Sequence, residues 1–214
     1  MKRLEPALER YCALVAAADV SVTALRSPEA IRAELVDDAL SARRLIGDVL
    51  PARTVDVGSG NGSPGIPLAI AYDAPVTLLE AVGRKGRFLA SVCEQLSIPA
   101  TVVYERSELH ARGSGRDAYD LALARALAPP PVAVELCLPL VRPGGRVVLW
   151  TGALDPALLD PVAGQIGGRV VSAVTTTGDR MLVELEKIAP TPERFPRRPG
   201  MAGKRPLASL PSTR

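Results

Sequence analysis

The segment "DVGSGNGSPGIPLAI", which begins at Asp56, is the part of the sequence best suited to hold a ligand. Gly58, Gly60 and Gly62 occupy every second position after the acid. Glycine permits positive φ and lets the backbone approach a ligand without a Cβ clash. The pattern is GxGxG, because Ser63 stands where the dinucleotide fingerprint GxGxxG has its last glycine. The segment therefore predicts a nucleotide-like ligand but weakens the interpretation as a nicotinamide dinucleotide site.

A second acid, Glu80, lies 22 residues after Gly58, at the end of a predicted strand. A carboxylate there can accept hydrogen bonds from both ribose hydroxyls, which NAD and S-adenosyl-L-methionine share. NAD adds a pyrophosphate suited to a helix N-terminus, whereas S-adenosylmethionine adds a sulfonium and an amino acid, for which a nearby acid such as Asp56 is apt. NAD and a purely structural turn remain alternatives. S-adenosylmethionine is the favoured ligand, and the residues expected to bind it are Asp56, Gly58, Gly60, Gly62 and Glu80.

The hydrophobic pattern changes from helical to alternating strand and helix after about residue 50. In the helical part, Ser27 followed by Pro28 predicts a helix start. Beyond it, short β-branched runs separated by helical patterns require parallel pairing with right-handed crossovers. The last two strands, in "VVSAVTTTGDRMLVELEK", have no helix between them and must lie antiparallel. We predict an α/β fold of the class I, Rossmann-like methyltransferase type: a mostly parallel, doubly wound sheet with an antiparallel last strand and an N-terminal helical segment.

The length of 214 residues and the hydrophobic content of 47% predict one substantial core. We expect three parts: an N-terminal helical segment packed on the core over residues 1–50, a ligand-binding core over 51–188, and a basic, proline-rich tail over 189–214. After the glycine loop, Ser63 is predicted to cap the next helix, with Pro64 at its first position.

Cysteine and histidine usage argues against a metal site. The three cysteines form no CxxC pattern, and the only histidine, His110, lies in a polar stretch where we expect it to be exposed. The amino terminus "MKRLEPALER" lacks a signal-peptide core, and no apolar run reaches about 18 residues. These features predict a reduced, cytoplasmic protein with no metal and no membrane partner.

The net charge of +3 is unevenly distributed. Residues 187–214 carry seven Lys or Arg against one acid, Glu193, a balance of +6 that leaves −3 for residues 1–186. A basic tail on an acidic body favours a polyanionic partner such as nucleic acid, although a solvated tail without a partner remains an alternative. The tail is too rich in proline and charge to predict a core element.

Five segments together carry a family resemblance: "DVGSGNGSPGIPLAI", "TLLEAVGRKGRFL", "ERSEL", "DLALARALA" and "TPERFPRRPGMAGKRPL". Over residues 20–207 the chain resembles the GidB family, also called RsmG, the bacterial small-subunit rRNA guanine-N7 methyltransferases. The resemblance implies S-adenosylmethionine as cofactor and methyl transfer to N7 of a guanosine in 16S rRNA. It also implies small-subunit ribosomal RNA, or the ribosomal particle, as the partner. We expect a monomer.

The same resemblance implies individual roles. Gly58 to Ser63 would hold the cofactor, and Ser107 and Glu108 would flank its adenine. Arg125, in "LARALA", matches an arginine that lies beside cofactor and substrate, and we assign it both to the catalytic centre and to the cofactor-binding residues. The residues expected to bind RNA are Arg84, Lys85, Arg87, Arg106, Arg180, Arg197 and Arg198.

Methylation at guanine N7 places few demands on the protein, because N7 has an in-plane lone pair and carries no proton. Alignment with the methyl donor matters more than a general base. Arg125 could donate hydrogen bonds to guanine O6 or to a phosphate. Its structural alternative is an ion pair with Asp120 or Glu135.

Two departures from the family pattern keep other functions open. Glu34 stands near a position where the family usually has histidine, and Thr151 stands where it has lysine. A methyltransferase-like relative with another substrate, or a noncatalytic nucleotide- or RNA-binding module, therefore remains an alternative.

Overall fold

A computed structural model describes residues 4–208, and the contacts within the chain divide it into two compact units, with the boundary between Glu105 and Arg106. The expected three-part division at residues 50 and 188 stays a prediction. Within the described range, we find no helix whose length and apolar character would suffice for a transmembrane span.

The first unit begins with helices. They are α1 (Leu4–Ala16), α2 (Pro28–Ile31), a π-helical turn (Arg32–Asp37), α3 (Asp38–Leu40) and α4 (Arg43–Ile46). The start of α2 confirms the sequence prediction, because the Ser27 side chain accepts a hydrogen bond from the backbone N–H of Ala30 at 3.2 Å. This bond satisfies one of the donors that a helix N-terminus leaves unpaired.

The remainder of the first unit alternates strand and helix. Its elements are β1 (Thr54–Val57), α5 (Gly65–Tyr72), β2 (Val76–Leu79), α6 (Gly83–Leu96) and β3 (Ala100–Val103). The strands are parallel, in the order β3-β2-β1, and α1 packs against α5 and α6. Leu8, Ile31, Leu78 and Leu89 meet in one buried cluster, so the N-terminal helices share a core with the strands of this unit.

The second unit contains the other four strands. Its elements are α7 (Ser107–His110), β4 (Tyr119–Arg125), α8 (Pro130–Cys137), a 3-10 turn (Leu138–Leu140), β5 (Val141–Thr151), a 3-10 turn (Pro156–Leu159), α9 (Asp160–Gln165), β6 (Gly168–Thr175), β7 (Met181–Lys187) and α10 (Met201–Lys204). The strand order is β4-β5-β7-β6, and β7 is antiparallel to both of its neighbours. The seven strands thus make up a mostly parallel sheet with one antiparallel strand, and the predicted fold class is confirmed.

The C-terminal segment is part of the second unit, and the expectation that it adds nothing to a core is wrong. Phe195 and Ala202 are each only 3% exposed. The Arg116 guanidinium donates to the backbone carbonyls of Thr191 and Phe195, at 2.6 and 2.8 Å. Prolines lack an N–H, so a proline-rich segment tolerates burial once donors reach its carbonyls. Arg214, counted in the tail charge, lies outside the described residues.

His110 is also placed differently from the expectation. It is 6% exposed, and its Nε2 lies 2.8 Å from the Tyr119 hydroxyl. The α7 turn folds the imidazole inward against Gly115, where a Cβ would collide with the ring. A polar stretch of sequence therefore surrounds a buried, hydrogen-bonded side chain.

Candidate functional site

The glycine loop joins β1 to α5 in the first unit. Gly58, Gly60 and Gly62 have φ of +70°, +52° and +97°, a region that L side chains rarely adopt. At Gly62 a Cβ would lie 2.6 Å from Cδ1 of Ile66, whereas at Gly60 the nearest atom would be 3.7 Å away. A side chain at position 62 would therefore collide with Ile66. At position 60 there is room for a side chain, and only the positive φ disfavours one.

Glu80 holds this loop in place. Its Oε2 accepts a hydrogen bond from the Gly60 N–H at 2.9 Å, and its Oε1 accepts one from the Val82 N–H at 2.7 Å. The side chain is 6% exposed, so these charge-assisted bonds form largely away from water. Each carboxylate oxygen has a second lone pair, which leaves acceptor capacity for ribose hydroxyls. The ribose contact itself stays a prediction.

The Asp56 carboxylate, from β1, binds the N-terminus of α5. Pro64 is the N-cap residue of this helix, so the predictions of Ser63 as the cap and of Pro64 as the first helical residue are wrong. The helix begins at Gly65, whose N–H donates to Asp56 Oδ2 at 3.1 Å. The Ser63 hydroxyl instead donates to the Leu35 carbonyl at 2.7 Å. A carboxylate serves a helix N-terminus better than a hydroxyl, because the helix dipole favours negative charge there. Asp56 therefore has a structural partner, and its role beside a sulfonium stays a prediction.

In the second unit, Ser107 and Glu108 open α7 and are both buried. The Ser107 hydroxyl donates to the Leu136 carbonyl, while Glu108 Oε1 accepts from the Gly200 N–H at 2.8 Å. Burial opposes ionisation of Glu108, yet the Gly200 hydrogen bond and the neighbouring Arg106 outweigh it and hold the pKa of this carboxyl below its usual value. Sequence reasoning missed Gly200, which lies 92 residues away.

Arg125 is the last residue of β4 and is half-buried. The chain turns immediately afterwards, since Ala126 has a φ of +53°. The two carboxylates considered as its structural partners bind other arginines. Asp120 accepts from Arg142 Nε at 2.6 Å, and Glu135 accepts from Arg197 Nε, also at 2.6 Å. The catalytic assignment of Arg125 therefore stays a prediction, beside its structural alternative.

Three of the predicted RNA-binding residues, Arg84, Lys85 and Arg87, lie in the first turns of α6. The two arginines are exposed, and the helix has neither an acid in its first turn nor a side-chain cap. Cations at a helix N-terminus are disfavoured by roughly 0.3–1 kcal/mol each, because the dipole is positive there. The arrangement is unfavourable for the isolated helix and favours an anionic partner.

The other predicted RNA-binding residues are more dispersed. Arg106 has a side chain 53% exposed and pairs with Glu108, and Arg180 is half-buried just before β7. Arg197 binds both oxygens of the buried Glu135, whereas its neighbour Arg198 is exposed. The two adjacent arginines of the C-terminal segment therefore have different surroundings: one binds a buried carboxylate and the other is exposed to solvent.

The described residues contain no group of three or more His, Cys, Asp or Glu arranged to hold a metal ion. Cys12, Cys93 and Cys137 are buried and form no disulfide, and burial raises the pKa of Cys93 to about 11. Raised thiol pKa values do not suit nucleophilic cysteines.

A mostly parallel sheet with a glycine loop after β1 and an acid after β2 defines the class I methyltransferase fold. The solved structure of a mutant of MtNAS in complex with S-adenosylmethionine is similar, with a TM-score of 0.60 and 20% identity. The match covers 86% of this chain and 73% of that chain. This likeness establishes the fold.

Sequence comparison establishes the family. The family model for GidB, described as rRNA small subunit methyltransferase G, matches residues 4–158. The ribosomal RNA small subunit methyltransferase G of Chloroflexus aggregans is 42% identical over 201 residues, covering 87% of this chain and 82% of the relative. That of Rubrobacter xylanophilus is 40% identical over 217 residues, covering 94% and 82%. The chain belongs to the rRNA small subunit methyltransferase G family, which confirms the resemblance.

Proposed function

We propose that this protein transfers the methyl group of S-adenosylmethionine to N7 of a guanosine in small-subunit (16S) ribosomal RNA. The observation that carries the proposal is the Gly60–Glu80 hydrogen bond, which holds a positive-φ glycine loop beside an acid at the end of β2. In a chain of this family, the arrangement suits a nucleoside-bearing cofactor. The protein acts in the cytoplasm, as a monomer, on the RNA or on the ribosomal particle.

The residues present fit the cofactor. The backbone from Gly58 to Ser63 leaves no Cβ at Gly60 to obstruct a ligand, and Glu80 keeps lone pairs for ribose hydroxyls. When bound, S-adenosylmethionine supplies an electrophilic methyl group on its sulfonium. Ser107 and Glu108 contribute to the adenine site mainly through the backbone of their turn, because both side chains bind protein partners.

The protein's task in the chemistry is orientation. Guanine N7 attacks through an in-plane lone pair and loses no proton, so no side chain has to act as a general base. Arg125, at the end of β4, supplies a planar set of N–H donors for guanine O6 or a nearby phosphate. Fixing the base in this way sets the line of approach of N7 to the methyl group.

The basic residues of α6 give the RNA an electrostatic site. Arg84, Lys85 and Arg87 crowd positive charge at a helix terminus where it is disfavoured, and phosphate would neutralise it. Arg198 extends this role to the C-terminal segment. Arg197 is less suited to it, because Glu135 occupies its guanidinium.

The direct test supplies the protein with isotopically labelled S-adenosylmethionine and 16S rRNA or small subunits, followed by nucleoside mass analysis. We expect labelled 7-methylguanosine at a single position. RNA transcribed with 7-deazaguanosine has a carbon in place of N7 and serves as the matched control, which should accept no methyl group. Methylation of the control, or of another base, would establish a different substrate; absence of cofactor binding would support the noncatalytic module.

Replacing Arg84, Lys85 and Arg87 together with alanine is expected to weaken RNA binding and to reduce the slope of log K against log salt by about two to three, because each lost phosphate contact removes roughly 0.7–0.9 from it. Filter binding at several salt concentrations measures the slope. Arg44→Ala removes an exposed cation of α4 and is expected to leave the slope unchanged. An unaltered slope in the triple variant would show these residues to be an ordinary solvated helix face.

A further inference from the structure

The C-terminal segment from Thr191 to Lys204 is bound to the turn that contains α7. The Gly200 N–H donates to Glu108 Oε1 at 2.8 Å. From the same turn, Arg112 donates to the Pro196 carbonyl at 3.0 Å through its Nη2. Arg116, further along, donates to the carbonyls of Thr191 and Phe195. Side chains of residues 108–116 thus contact the segment along most of its length.

A buried lysine fixes the beginning of this segment. Lys187 is 0% exposed, and its Nζ donates to the Leu138 carbonyl at 2.9 Å and to Thr191 Oγ1. Thr191 Oγ1 in turn donates to Asp117 Oδ1 at 2.6 Å. A buried network of hydrogen bonds therefore fixes the path of the chain after β7.

Two buried carboxylates bind the segment. Glu108 is 4% exposed and binds Gly200, and Glu135, on α8, is 1% exposed and binds both Nε and Nη2 of Arg197. A buried carboxylate that loses its partner is strongly destabilised, because it keeps the desolvation cost without the compensating bond. Displacing the segment would leave Glu108 with Arg106 as its partner and Glu135 without Arg197, which destabilises the present position of the turn at Ser107 and Glu108.

We propose that the C-terminal segment positions the adenine-binding turn, so that cofactor affinity depends on Glu135, Arg197 and Gly200. The proposal rests on the proposed function, which places Ser107 and Glu108 beside the adenine. Gly200 acts through its bond to Glu108, and Arg197 and Glu135 act by binding the segment to α8, so all three are positioning residues. The two adjacent arginines of the C-terminal segment thus have different roles. Arg197 organises the cofactor site, whereas Arg198 is exposed and is the one assigned to RNA binding.

The test compares cofactor affinity in Arg197→Ala with that of the unmodified full-length protein by calorimetry. We expect the Kd for S-adenosylmethionine to rise about tenfold, the scale on which residues linked to a site through packed networks change affinity. In methyl transfer, the KM for the cofactor should rise by a larger factor than kcat falls. Hydrogen exchange of the amides of residues 106–110 should accelerate in the same variant.

The matched control is Arg142→Ala, which removes another arginine–carboxylate bond of the second unit, to Asp120, at a distance in sequence from both segments. We expect its cofactor affinity and its exchange at residues 106–110 to match the unmodified protein. If Arg197→Ala does not fold, Glu135→Gln keeps the shape and one acceptor while removing the charge, and should produce a smaller change of the same kind.

A folded Arg197→Ala or Glu135→Gln with unchanged cofactor affinity and unchanged exchange would overturn the proposal. The outcome is separable from failure of the proposed function. If the unmodified protein binds no S-adenosylmethionine, the proposed function fails, whereas the exchange measurement on ligand-free protein still decides whether the segment holds the turn.

Discussion

Replacing Arg125 with alanine is expected to lower the rate of methyl transfer by about two orders of magnitude or more, which corresponds to at least about 2.7 kcal/mol of transition-state stabilisation. The guanidinium lies at the carboxyl end of β4, the edge at which doubly wound sheets bind ligands. Because N7 needs no deprotonation, the loss reflects misplacement of the base. Single-turnover kinetics at saturating cofactor measure the effect, so a change in cofactor affinity does not enter the measured rate.

Arg125→Lys is expected to recover little activity, because an ammonium group cannot reproduce the planar fork needed for bidentate contact. Arg146→Ala is the matched control: this arginine lies on β5, and its Nη1 pairs with Glu184 at 2.8 Å. Its rate should remain close to normal. Normal methylation by Arg125→Ala would show that Arg125 has no role in the reaction. Unfolding of that variant, but not of Arg146→Ala, would assign Arg125 a structural role.

Gly60→Asp is expected to reduce the affinity for S-adenosylmethionine by more than about 100-fold, that is by more than about 2.7 kcal/mol. The added carboxylate lies beside Glu80, which already accepts the Gly60 N–H, and like charges at that distance repel. The space around Gly60 accepts a Cβ, so the side chain occupies the approach to the loop and leaves the core intact. Calorimetry measures the affinity for the cofactor, and a thermal unfolding curve shows whether the fold remains intact.

The control for backbone strain is Gly178→Asp, between β6 and β7. Gly178 has a φ of +64° and no neighbour within 4 Å of its Cβ position, so the substitution carries a similar conformational cost at a position in the second unit. Its affinity for the cofactor should be normal. A Gly60→Asp protein that binds S-adenosylmethionine as the unmodified protein does would exclude this loop from the cofactor site.

The glycine loop and the strand pattern were predictable because their determinants are local. Three glycines at alternate positions anticipate three positive φ values, and a helix-free stretch before the last strand anticipates β7 as the antiparallel strand. Ser27 before Pro28 likewise predicts the start of α2 from two neighbouring residues. The family was recognisable for a related reason, since its motifs are contiguous segments in a fixed order.

Partners distant in the chain could not be derived in this way. By sequence alone, Ser63 was as good a candidate as any residue to cap α5. In the tertiary structure, Asp56 accepts the hydrogen bond from the first N–H of this helix, and the Ser63 hydroxyl donates to the Leu35 carbonyl. Local sequence specifies which residues can donate or accept. It does not specify which of several competing partners will lie within reach when both groups leave water.

The C-terminal segment shows the same limit for charge. Composition determined that residues 187–214 are basic and proline-rich, and these properties equally describe a solvated tail. Only the fold decided that Arg197 binds Glu135, 62 residues away, while Arg198 beside it stays exposed. The physical reason is that the energy of a charge depends on its burial and on its partner, and both are properties of the folded chain rather than of the residue.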